Sequence, residues 1–511
     1  ILLSVNYYDN YNFMGLNGFP AYTKSDLSYE SMAGYGERYA ASAQELLTGN
    51  ITAYTANDGI LQYNYATYYY DYRGRKVQQK STNHLGGYDK KYIRYNFGGL
   101  PVNVQCVHTN NNSVALIDID TCTYDHAGRL LTMKHKHNTG AETLLVDNEY
   151  DDLGRLKKNK RNSNVNLVTE YTYNVRSWIT GISSPGFKQA LHYADGVGTP
   201  CYNGNISSMT WQVNSELIRG YKFSYDGLGR LTNALYGEGA TLLEGTNHFS
   251  EQVSAYDKNG NILGLKRYGQ TGVNAFNLID NLAITLTGNQ LKSVNDAVST
   301  AVYNNAFEFK DGSKLSVEYS YDANGNLIKD LNKNITDIQY NMLNLHSLLK
   351  FSDGSTITYT YGMDGAKLRT IHKIGSATTI TDYCGNVIYE NGSVKRLLVE
   401  GGYLSLNDNK YHYFLEDHQG NNRVVVGQSG TAEEINHYYP FGGIFGNTGN
   451  VQPYKYNGKE LDTKKGLNWY DYGAREYDAA LGRWYGIDPL AEKYYQESPY
   501  TYCENDPVNK V

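Results

Sequence analysis

Tyr225-Asp226-Gly227-Leu228-Gly229-Arg230 is one copy of a six-residue motif, Tyr-Asp-x-x-Gly-Arg, that decides how this chain folds. Three other copies keep every defining residue, and two carry Asn in place of the final Arg. A motif that recurs every roughly 20 to 50 residues indicates a repeat architecture, in which neighbouring copies stack on one another. The other copies are Tyr70–Arg75, Tyr124–Arg129, Tyr150–Arg155, Tyr256–Asn261 and Tyr321–Asn326.

The copies and their weaker echoes are spaced almost regularly. Successive motif Tyr residues lie 19 to 31 residues apart, except for one interval of 65 residues between Tyr256 and Tyr321. Within that interval, Gly288–Lys292 is interpreted as the end of a copy that has lost its Tyr-Asp start. A repeat of this length corresponds to about one two-stranded unit with its turns. The echoes begin at Tyr95, Tyr173, Tyr202, Tyr340, Tyr361 and Tyr383.

Residue preferences predict that each copy builds a β-hairpin. Tyr and alternating apolar residues favour strands. Asp or Asn followed by Gly favours a tight turn, because Gly adopts a positive φ without steric strain. Helical periodicity is almost absent, and the best helical candidates are residues 35–47 and a short stretch at 488–495. The expected fold class is therefore all-β.

Composition favours a thin, curved β-shell over a thick globule. The 511 residues include 51 Tyr, 52 Gly and only 9 Pro, and 40% of the residues are hydrophobic when Tyr is counted. A large compact domain buries a greater share of its surface and so needs more aliphatic side chains. Tyr suits a sheet that is wet on both faces, because its ring packs while its hydroxyl stays in water.

Charge and hydropathy exclude several classes of function. The net charge is −6 and the isoelectric point about 6.1, so no basic field attracts nucleic acid. The basic cluster Lys157–Arg161 is interpreted as a solvated turn. No apolar run reaches the about 18 residues that predict a transmembrane helix. The chain begins at Ile1 without an initiator Met, so we expect a processed piece whose signal peptide would not be visible.

No motif predicts a cofactor or a metal site. The five Cys residues lack metal-type spacing; Cys106 and Cys122 could pair across a hairpin, but buried free thiols are favoured. Asp257–Asn261 resembles the start of a calcium loop without the spacing of its Gly and final acid, so it is interpreted as a turn. His135 and His137 share one face of a strand that is expected to be exposed, with no third ligand nearby.

The last hundred residues carry a different set of motifs, in which aromatic and charged residues crowd together. These motifs are Asp417-His418-x-Gly420-x-x-Arg423, Gly473-Ala474-Arg475-x-Tyr477-Asp478, Gly482-Arg483-Trp484, Asp488-Pro489-Leu490-Ala491-Glu492-Lys493 and Asn505-x-Pro507. With the upstream repeats, the chain resembles the RHS/YD-repeat proteins. Its end resembles the RHS repeat-associated core domain in the form common among Bacteroidetes. The resemblance covers roughly residues 60–511.

The resemblance implies a spiral of β-hairpins wound into a hollow shell, or cocoon, that the core domain caps. It implies an N-terminal segment of unknown role, plug or lead-in strands (1–60), a hairpin shell (61–405) and a core domain (406–511). The expected function is to encapsulate and deliver, or to display, a polymorphic toxin-like C-terminal domain that this sequence lacks. The resemblance also implies a secreted or cell-surface bacterial protein, with secretion machinery as a further candidate partner.

The family also implies an aspartyl-protease-like site in the core domain that cuts the chain once. Two close carboxylates cannot both ionise, so one holds a proton while the other activates water. Asp488 is the first candidate acid and Asp478 the second, with Arg475 and Arg483 as groups that orient them. The alternative is that these residues only cap turns and form ion pairs. Family members continue into a second Asp-Pro-x-Gly motif, so we expect an incomplete site in a chain that stops at Val511.

A third interpretation is a surface module that binds carbohydrate or protein, with aromatic side chains stacking on sugars. It predicts exposed, coplanar Tyr or Trp pairs beside a groove. Burial of the four Trp residues would speak against it. These residues are Trp178, Trp211, Trp469 and Trp484.

Overall fold

The computed structural model describes residues 2–511 apart from 17, 21–25, 57–58, 112–114, 300–301 and 304–305. The described residues form strands, turns and short 3-10 helices, and none of them lies in an α-helix. They group into two compact units. The first unit is Ile1–Val165, Tyr359–Thr370 and Ile380–Gly401; the second is Asn166–Thr358, Ile371–Thr379 and Gly402–Val511.

The first unit contains an antiparallel meander in which each of ten strands pairs with the next. Phe13, Phe19 and Leu27 pack with Ile51, which places N-terminal residues against the first strands. The strands are β1 (Ser4–Asp9), β2 (Ala43–Thr55), β3 (Leu61–Tyr70), β4 (Lys76–Thr82), β5 (Tyr88–Tyr95), β6 (Pro101–His108), β7 (Leu116–Tyr124), β8 (Leu130–His137), β9 (Thr143–Tyr150) and β10 (Leu156–Lys160).

The second unit continues the same pattern of consecutive antiparallel pairs. The strands here are β11 (Val168–Tyr173), β12 (Ile179–Ser183), β13 (Phe187–His192), β14 (Ser208–Val213), β15 (Arg219–Tyr225), β16 (Leu231–Glu238), β17 (Glu251–Tyr256), β18 (Ile262–Gly272), β19 (Ala275–Thr287), β20 (Gln290–Asp296), β21 (Tyr319–Tyr321), β22 (Leu327–Asp330), β23 (Ile335–Tyr340) and β24 (His346–Phe351).

The remaining strands include a small four-stranded sheet near the end of the chain, in which neighbours again pair antiparallel. The strands before it are β25 (Thr356–Tyr361), β26 (Lys367–Ile374), β27 (Ala377–Cys384), β28 (Val387–Glu390), β29 (Ser393–Val399), β30 (Gly402–Ser405), β31 (Lys410–Glu416), β32 (Asn422–Gly427), β33 (Ala432–Tyr438) and β34 (Ile444–Thr448). The small sheet is β35 (Glu460–Asp462), β36 (Trp469–Asp471), β37 (Glu476–Asp478) and β38 (Arg483–Trp484).

The motif forms the turn that the sequence predicts, and Asp226 shows how. Its Oδ1 accepts the N–H groups of Leu228 and Arg230 at 2.9 and 3.0 Å, while its Oδ2 accepts the Arg230 Nε–H at 2.7 Å. Gly229 adopts a φ of 81°, which a residue with a Cβ rarely adopts. The motif Asp therefore forms the turn, and the hydrogen bonds to its carboxylate come from residues of the same copy. The calcium-like Asp257 makes the same turn, with N–H donors at Asn259 and Asn261.

The Tyr and Arg of the motif join one copy to the next. Arg230 lies over the ring of Tyr256 at 4.4 Å, and the Tyr256 hydroxyl donates to the Leu231 carbonyl at 2.5 Å. In the first unit, Arg129 lies 4.6 Å from the ring of Tyr150, whose hydroxyl donates to the Leu130 carbonyl. A ring and a hydroxyl are both needed, which explains why the motif uses Tyr.

The long interval between Tyr256 and Tyr321 contains two long strands, β18 and β19, of 11 and 13 residues, then β20, and then described residues up to Glu318 that lie in no strand. Gly288, with a φ of 60°, stands between β19 and β20, where the sequence predicts the end of a degenerate copy. The Tyr321 hydroxyl accepts the N–H of Leu291, so the next Tyr still contacts this turn. The interval therefore keeps the turn of one degenerate copy, and its extra length comes from longer strands and from the residues after β20 that lie in no strand.

Both helical predictions are wrong. Residues 35–42 are irregular and β2 begins at Ala43, because nearby strands offer backbone partners. Gly36 donates to the Ile93 carbonyl at 3.1 Å and Tyr39 to the Tyr70 carbonyl at 2.8 Å. In the stretch 488–495, only Ala491–Lys493 is helical, as a single 3-10 turn. The other short 3-10 helices are Val165–Leu167, Tyr456–Gly458, Lys464–Gly466 and Cys503–Asn505.

Two interpretations of charged strands also need correction. Residues Leu156–Lys160 form β10 rather than a solvated turn, since Lys160 pairs with Glu149 of β9 at 2.6 Å. The His135 side chain is buried, and His135 and His137 lie 3.3 and 2.6 Å from the same carboxylate oxygen of Asp118 on β7. The strand is therefore not an exposed one, because a neighbouring strand supplies an acid that periodicity does not reveal.

The Cys prediction is correct for bonding but only partly for burial. All five thiols are free. Cys106 lies opposite Asp118 and Cys122 opposite Met133, so the two do not face each other across a hairpin. Cys384 is buried and the other four are partly exposed.

Candidate active site

The small sheet β35–β38 positions the predicted acids by packing aromatic rings. Tyr477 is fully buried and stacks on Tyr502 at 3.9 Å. The Trp484 ring contacts the Tyr477 ring at 5.5 Å, and the two ring planes are tilted by 64°. Edge and stacked contacts of this kind fix ring orientation as well as burying apolar surface. The residues between these rings, including Asp478, are therefore held in one geometry.

Asp478 ends β37, with Trp469 opposite it on β36 and Arg483 opposite it on β38. Its side chain is only 1% exposed. One carboxylate oxygen accepts the Ala480 N–H at 2.8 Å. The other accepts the Tyr485 hydroxyl at 2.5 Å and lies 3.2 Å from Lys333 Nζ.

A second buried acid, Asp330 at the end of β22, reaches the same tyrosine. The Tyr485 hydroxyl oxygen lies 3.3 Å from its Oδ2, and the Lys333 N–H donates to its Oδ1 at 3.2 Å. Burial raises the pKa of Asp330 to about 6, with Lys333 opposing the shift and the negative charge of Asp478 adding to it. Sequence reasoning missed Asp330, because no motif marks it and it lies in a hairpin strand far from the C-terminal motifs.

Asp488 lies in a different set of contacts. Its Oδ1 accepts the Leu490 N–H at 2.7 Å and so caps a turn, and its Oδ2 pairs with Arg475 Nη2 at 2.9 Å. Its side chain is 28% exposed. Burial lowers the pKa of Arg475, and Asp488 opposes that shift. Arg475 also lies 4.2 Å from the ring of Trp484. The structure thus joins Arg475 to Asp488, while Asp478 has other partners.

Arg483 binds a neighbouring turn. Its Nη2 donates to the Asn289 carbonyl at 2.7 Å, and no carboxylate of the described residues lies within ion-pair distance. Arg75 donates in a similar way to the carbonyl of Asn96 in the next copy, at 3.2 Å. The copy that precedes Asn289 has Asn261 where other copies have Arg. Arg483 therefore supplies a guanidinium to a copy that lacks its own.

The motif around Asp417 is a buried anchor. Its Oδ2 accepts the Nε–H of Arg423 at 2.7 Å. Burial acts to raise the pKa of Asp417, but the charge of Arg423 and the other hydrogen bonds outweigh burial, so the pKa is lowered. His418 Nε2 lies 3.0 Å from the Val508 carbonyl, and Gln419 donates to the Pro507 carbonyl at 2.6 Å. These contacts fix the last residues of the chain.

The described residues bear on the metal and carbohydrate hypotheses in two ways. In the part of the chain that the structure describes, no group of His, Cys, Asp and Glu could hold a metal ion. Trp211, Trp469 and Trp484 are buried, which leaves Trp178 as the only partly exposed Trp for sugar stacking. Among the same described residues, no helix has the length and apolarity to span a membrane.

Comparison with known proteins supports the fold. No protein-family model matches the chain. It is similar to TcdB2–TccC3 solved without its hypervariable C-terminal region, with a TM-score of 0.60 and 15% identity over 91% of this chain and 27% of that one. It is also similar to TcdB2–TccC3 itself, with a TM-score of 0.61, 14% identity and coverage of 91% and 31%. The all-β fold of antiparallel hairpins is confirmed.

A curated relative adds a likeness at the sequence level. The chain is 30% identical over 232 residues to salivary gland surface protein 1 of Aedes aegypti, across 40% of this chain and 7% of that protein. The chain thus spans a small part of this relative and under a third of each solved structure.

Proposed function

We propose that this chain forms the wall of a β-hairpin shell that encloses a variable polypeptide following it in the natural protein. The carrying observation is the way the C-terminal segment packs on hairpin strands of the same unit. Arg267 of β18 is buried and donates to the Ala479 carbonyl at 2.9 Å, and Asn505 donates to the Gly260 carbonyl at 2.7 Å. Buried polar groups that are hydrogen-bonded in this way hold a segment rigidly in place.

The likeness to TcdB2–TccC3 supports the order of these parts. One solved form of that protein omits a hypervariable C-terminal region. By analogy of fold alone, we place a variable, toxin-like region after Val511 in the natural protein. The divisions at residues 60 and 405 belong to the same proposal, as does the assignment to the YD-repeat, Bacteroidetes-type group.

Protease protection tests encapsulation. The natural protein, expressed with the sequence that follows residue 511, is treated with trypsin under native conditions. We expect the downstream polypeptide to survive a dose that digests the same polypeptide expressed alone, because the wall excludes the protease. Equal digestion rates in the two samples, or a natural protein with no polypeptide after residue 511, would contradict the proposal.

A second candidate function is a single self-cleavage beside the core segment. The observation that favours it is Asp478, a buried carboxylate that lies beside Lys333 and shares the Tyr485 hydroxyl with Asp330, an environment that general acid–base chemistry can use. Intact-mass measurement of the natural protein should show a cut downstream of this chain. Asp478→Asn should abolish it, Asp488→Asn tests the other predicted acid, and Asp195→Asn, at an exposed turn, should not affect it. A wild-type protein that remains uncut would contradict self-cleavage.

We further propose that the protein is secreted or displayed at the surface of a bacterium, where secretion machinery or a cell-surface glycan would be its partner. The name of the mosquito relative, a surface protein, agrees with an extracellular location. Fractionation of the native host decides the matter: the protein should appear in the medium or be removed from intact cells by added protease. Recovery from the cytoplasm alone would refute this location.

A further inference from the structure

We propose that Asp330 is a positioning residue for Asp478, so that hairpin strand β22 controls the charge of the acid in the C-terminal segment. The inference rests on the proposed self-cleavage and names a regulator of that site. The two carboxylates are linked through one hydroxyl group, which lies 2.5 Å from Asp478 and 3.3 Å from Asp330. Both carboxylates are buried, so they interact with little screening.

The hydrogen bonds indicate that only one of the two carboxyl groups, Asp330 and Asp478, is ionised. A tyrosine hydroxyl has a single proton to donate. Burial, reinforced by Asp478, raises the pKa of Tyr485, so its hydroxyl keeps that proton and donates it over the shorter distance to Asp478. An ionised Asp330 would then face an oxygen with no proton left to give. A protonated Asp330 instead donates to the Tyr485 oxygen and completes the chain of hydrogen bonds.

The surrounding charges place the negative charge on Asp478. The Lys333 ammonium lies 3.2 Å from Asp478, whereas Asp330 receives the backbone N–H of the same residue. The two carboxylates share one buried site, and two like charges in such a site disfavour each other. The titratable groups that face Asp330 from the elements packed on it are Lys333, Asp478, Tyr485, Tyr319 and Tyr321.

The consequence for cleavage is a requirement for packing. In the proposed step, ionised Asp478 takes a proton from water, the water oxygen bonds to the peptide carbonyl carbon, the C–N bond breaks, and that proton passes to the leaving nitrogen. A neutral Asp330 lets Asp478 keep its charge and its hydrogen bond. Because Asp330 lies on β22, this arrangement exists only after that hairpin has packed against residues 476–485. Cleavage therefore follows assembly of this part of the fold.

The pH profile of self-cleavage tests the role of Asp330. In the wild-type natural protein, ionisation of Asp330, whose pKa is about 6, should lower the rate about thirtyfold between pH 5 and 7.5. Asp330→Asn keeps a neutral donor, so we expect cleavage that no longer falls over this range. Asp337→Asn, on the next strand and in an exposed pair with Lys350, should retain the wild-type profile. Circular dichroism confirms that each variant folds.

A second variant tests the same hydrogen bonds in case Asp330→Asn fails to fold. Tyr485→Phe keeps the ring but removes the bridging hydroxyl, so its rate at pH 5 should drop to about the wild-type rate at pH 7.5. A wild-type protein that is cut, with an unchanged profile in Asp330→Asn or Tyr485→Phe, refutes the role of Asp330 and leaves self-cleavage standing. A wild-type protein that is never cut refutes both.

Discussion

At the scale of single residues, two glycines of one motif copy differ in why a glycine is needed. Gly227 and Gly229 stand two residues apart in one turn, but only Gly229 has a positive φ, 81°. Space is open at both positions: a Cβ at Gly227 would meet nothing within 4 Å, and one at Gly229 would meet only Asn205 Nδ2, at 3.8 Å. Backbone strain alone therefore distinguishes them.

This difference predicts the effect of two matched substitutions. Gly229→Ala should lower the free energy of unfolding by about 1–2 kcal/mol, because a Cβ disfavours the left-handed region. Gly227→Ala should change it by less than about 0.5 kcal/mol, or raise it slightly by restricting the unfolded chain. Urea unfolding of the two variants checks this, and equal losses would show that the turn tolerates a side chain at positive φ.

At the scale of elements, a buried ion cluster joins three strands to the C-terminal segment. Arg267 of β18 pairs with Glu251 of β17 at 2.6 Å and with Asp280 of β19 at 3.1 Å, and also donates to the Ala479 carbonyl. Burial, opposed by Arg267, raises the pKa of Asp280 to about 6. Removing the cation would leave two acids in a dry site.

Arg267→Met should therefore destabilise the second unit by about 3–5 kcal/mol at pH 7, the usual loss when one partner of a buried ion pair is removed. Lys266→Met, one residue earlier and half-buried on the other face of β18, should cost less than about 1 kcal/mol. Chemical unfolding followed by tryptophan fluorescence reports the difference, because Trp469 and Trp484 lie in this unit. Similar losses in both variants would contradict the role of the cluster.

These elements also show how far the sequence alone can go. The turn around Asp226 could be predicted, since its hydrogen bonds lie within six residues. Asp330 could not be predicted as a neighbour of Asp478, because their contact depends on how a distant hairpin packs. The false helix at residues 35–47 failed for a related reason: its backbone partners, Ile93 and Tyr70, belong to strands far along the chain.

At the scale of the whole molecule, buried histidines and buried acids have opposite effects on how the free energy of unfolding changes with pH. Burial lowers the pKa of His346 and of His437 to about 4, so below about 6.5 the unfolded chain binds protons that the folded chain refuses, and stability falls on acidification. Burial raises the pKa of Asp280, Asp330 and Asp506 to about 6, so stability from these acids falls as pH rises from about 4 to 6. The two sets partly cancel.

Removing one histidine should expose this balance. His346→Gln is expected to be less stable than wild type at pH 7, where the neutral imidazole packs against Trp469. On acidification from pH 6.5 to 4, that deficit should shrink by about 2–3 kcal/mol, because the variant has no imidazole to protonate in the unfolded chain. His126→Gln, at an exposed turn, should follow the wild-type curve. Parallel curves for His346→Gln would show that His346 titrates normally.

The Tyr–Arg contacts of the motif join a copy to the next one along the chain, as the Arg230–Tyr256 and Arg129–Tyr150 pairs show. Where a copy makes no other contact, a gene can duplicate or delete it and keep the remaining Tyr–Arg junctions, so the number of copies can change during evolution. The copies that begin at Tyr225, Tyr256 and Tyr321 lack this freedom. Asn509 donates to the Tyr225 hydroxyl, Asn505 donates to the Gly260 carbonyl, and Tyr500 donates to the Gly325 carbonyl. We therefore expect sequence length to stay constant from Tyr225 to the C-terminal segment.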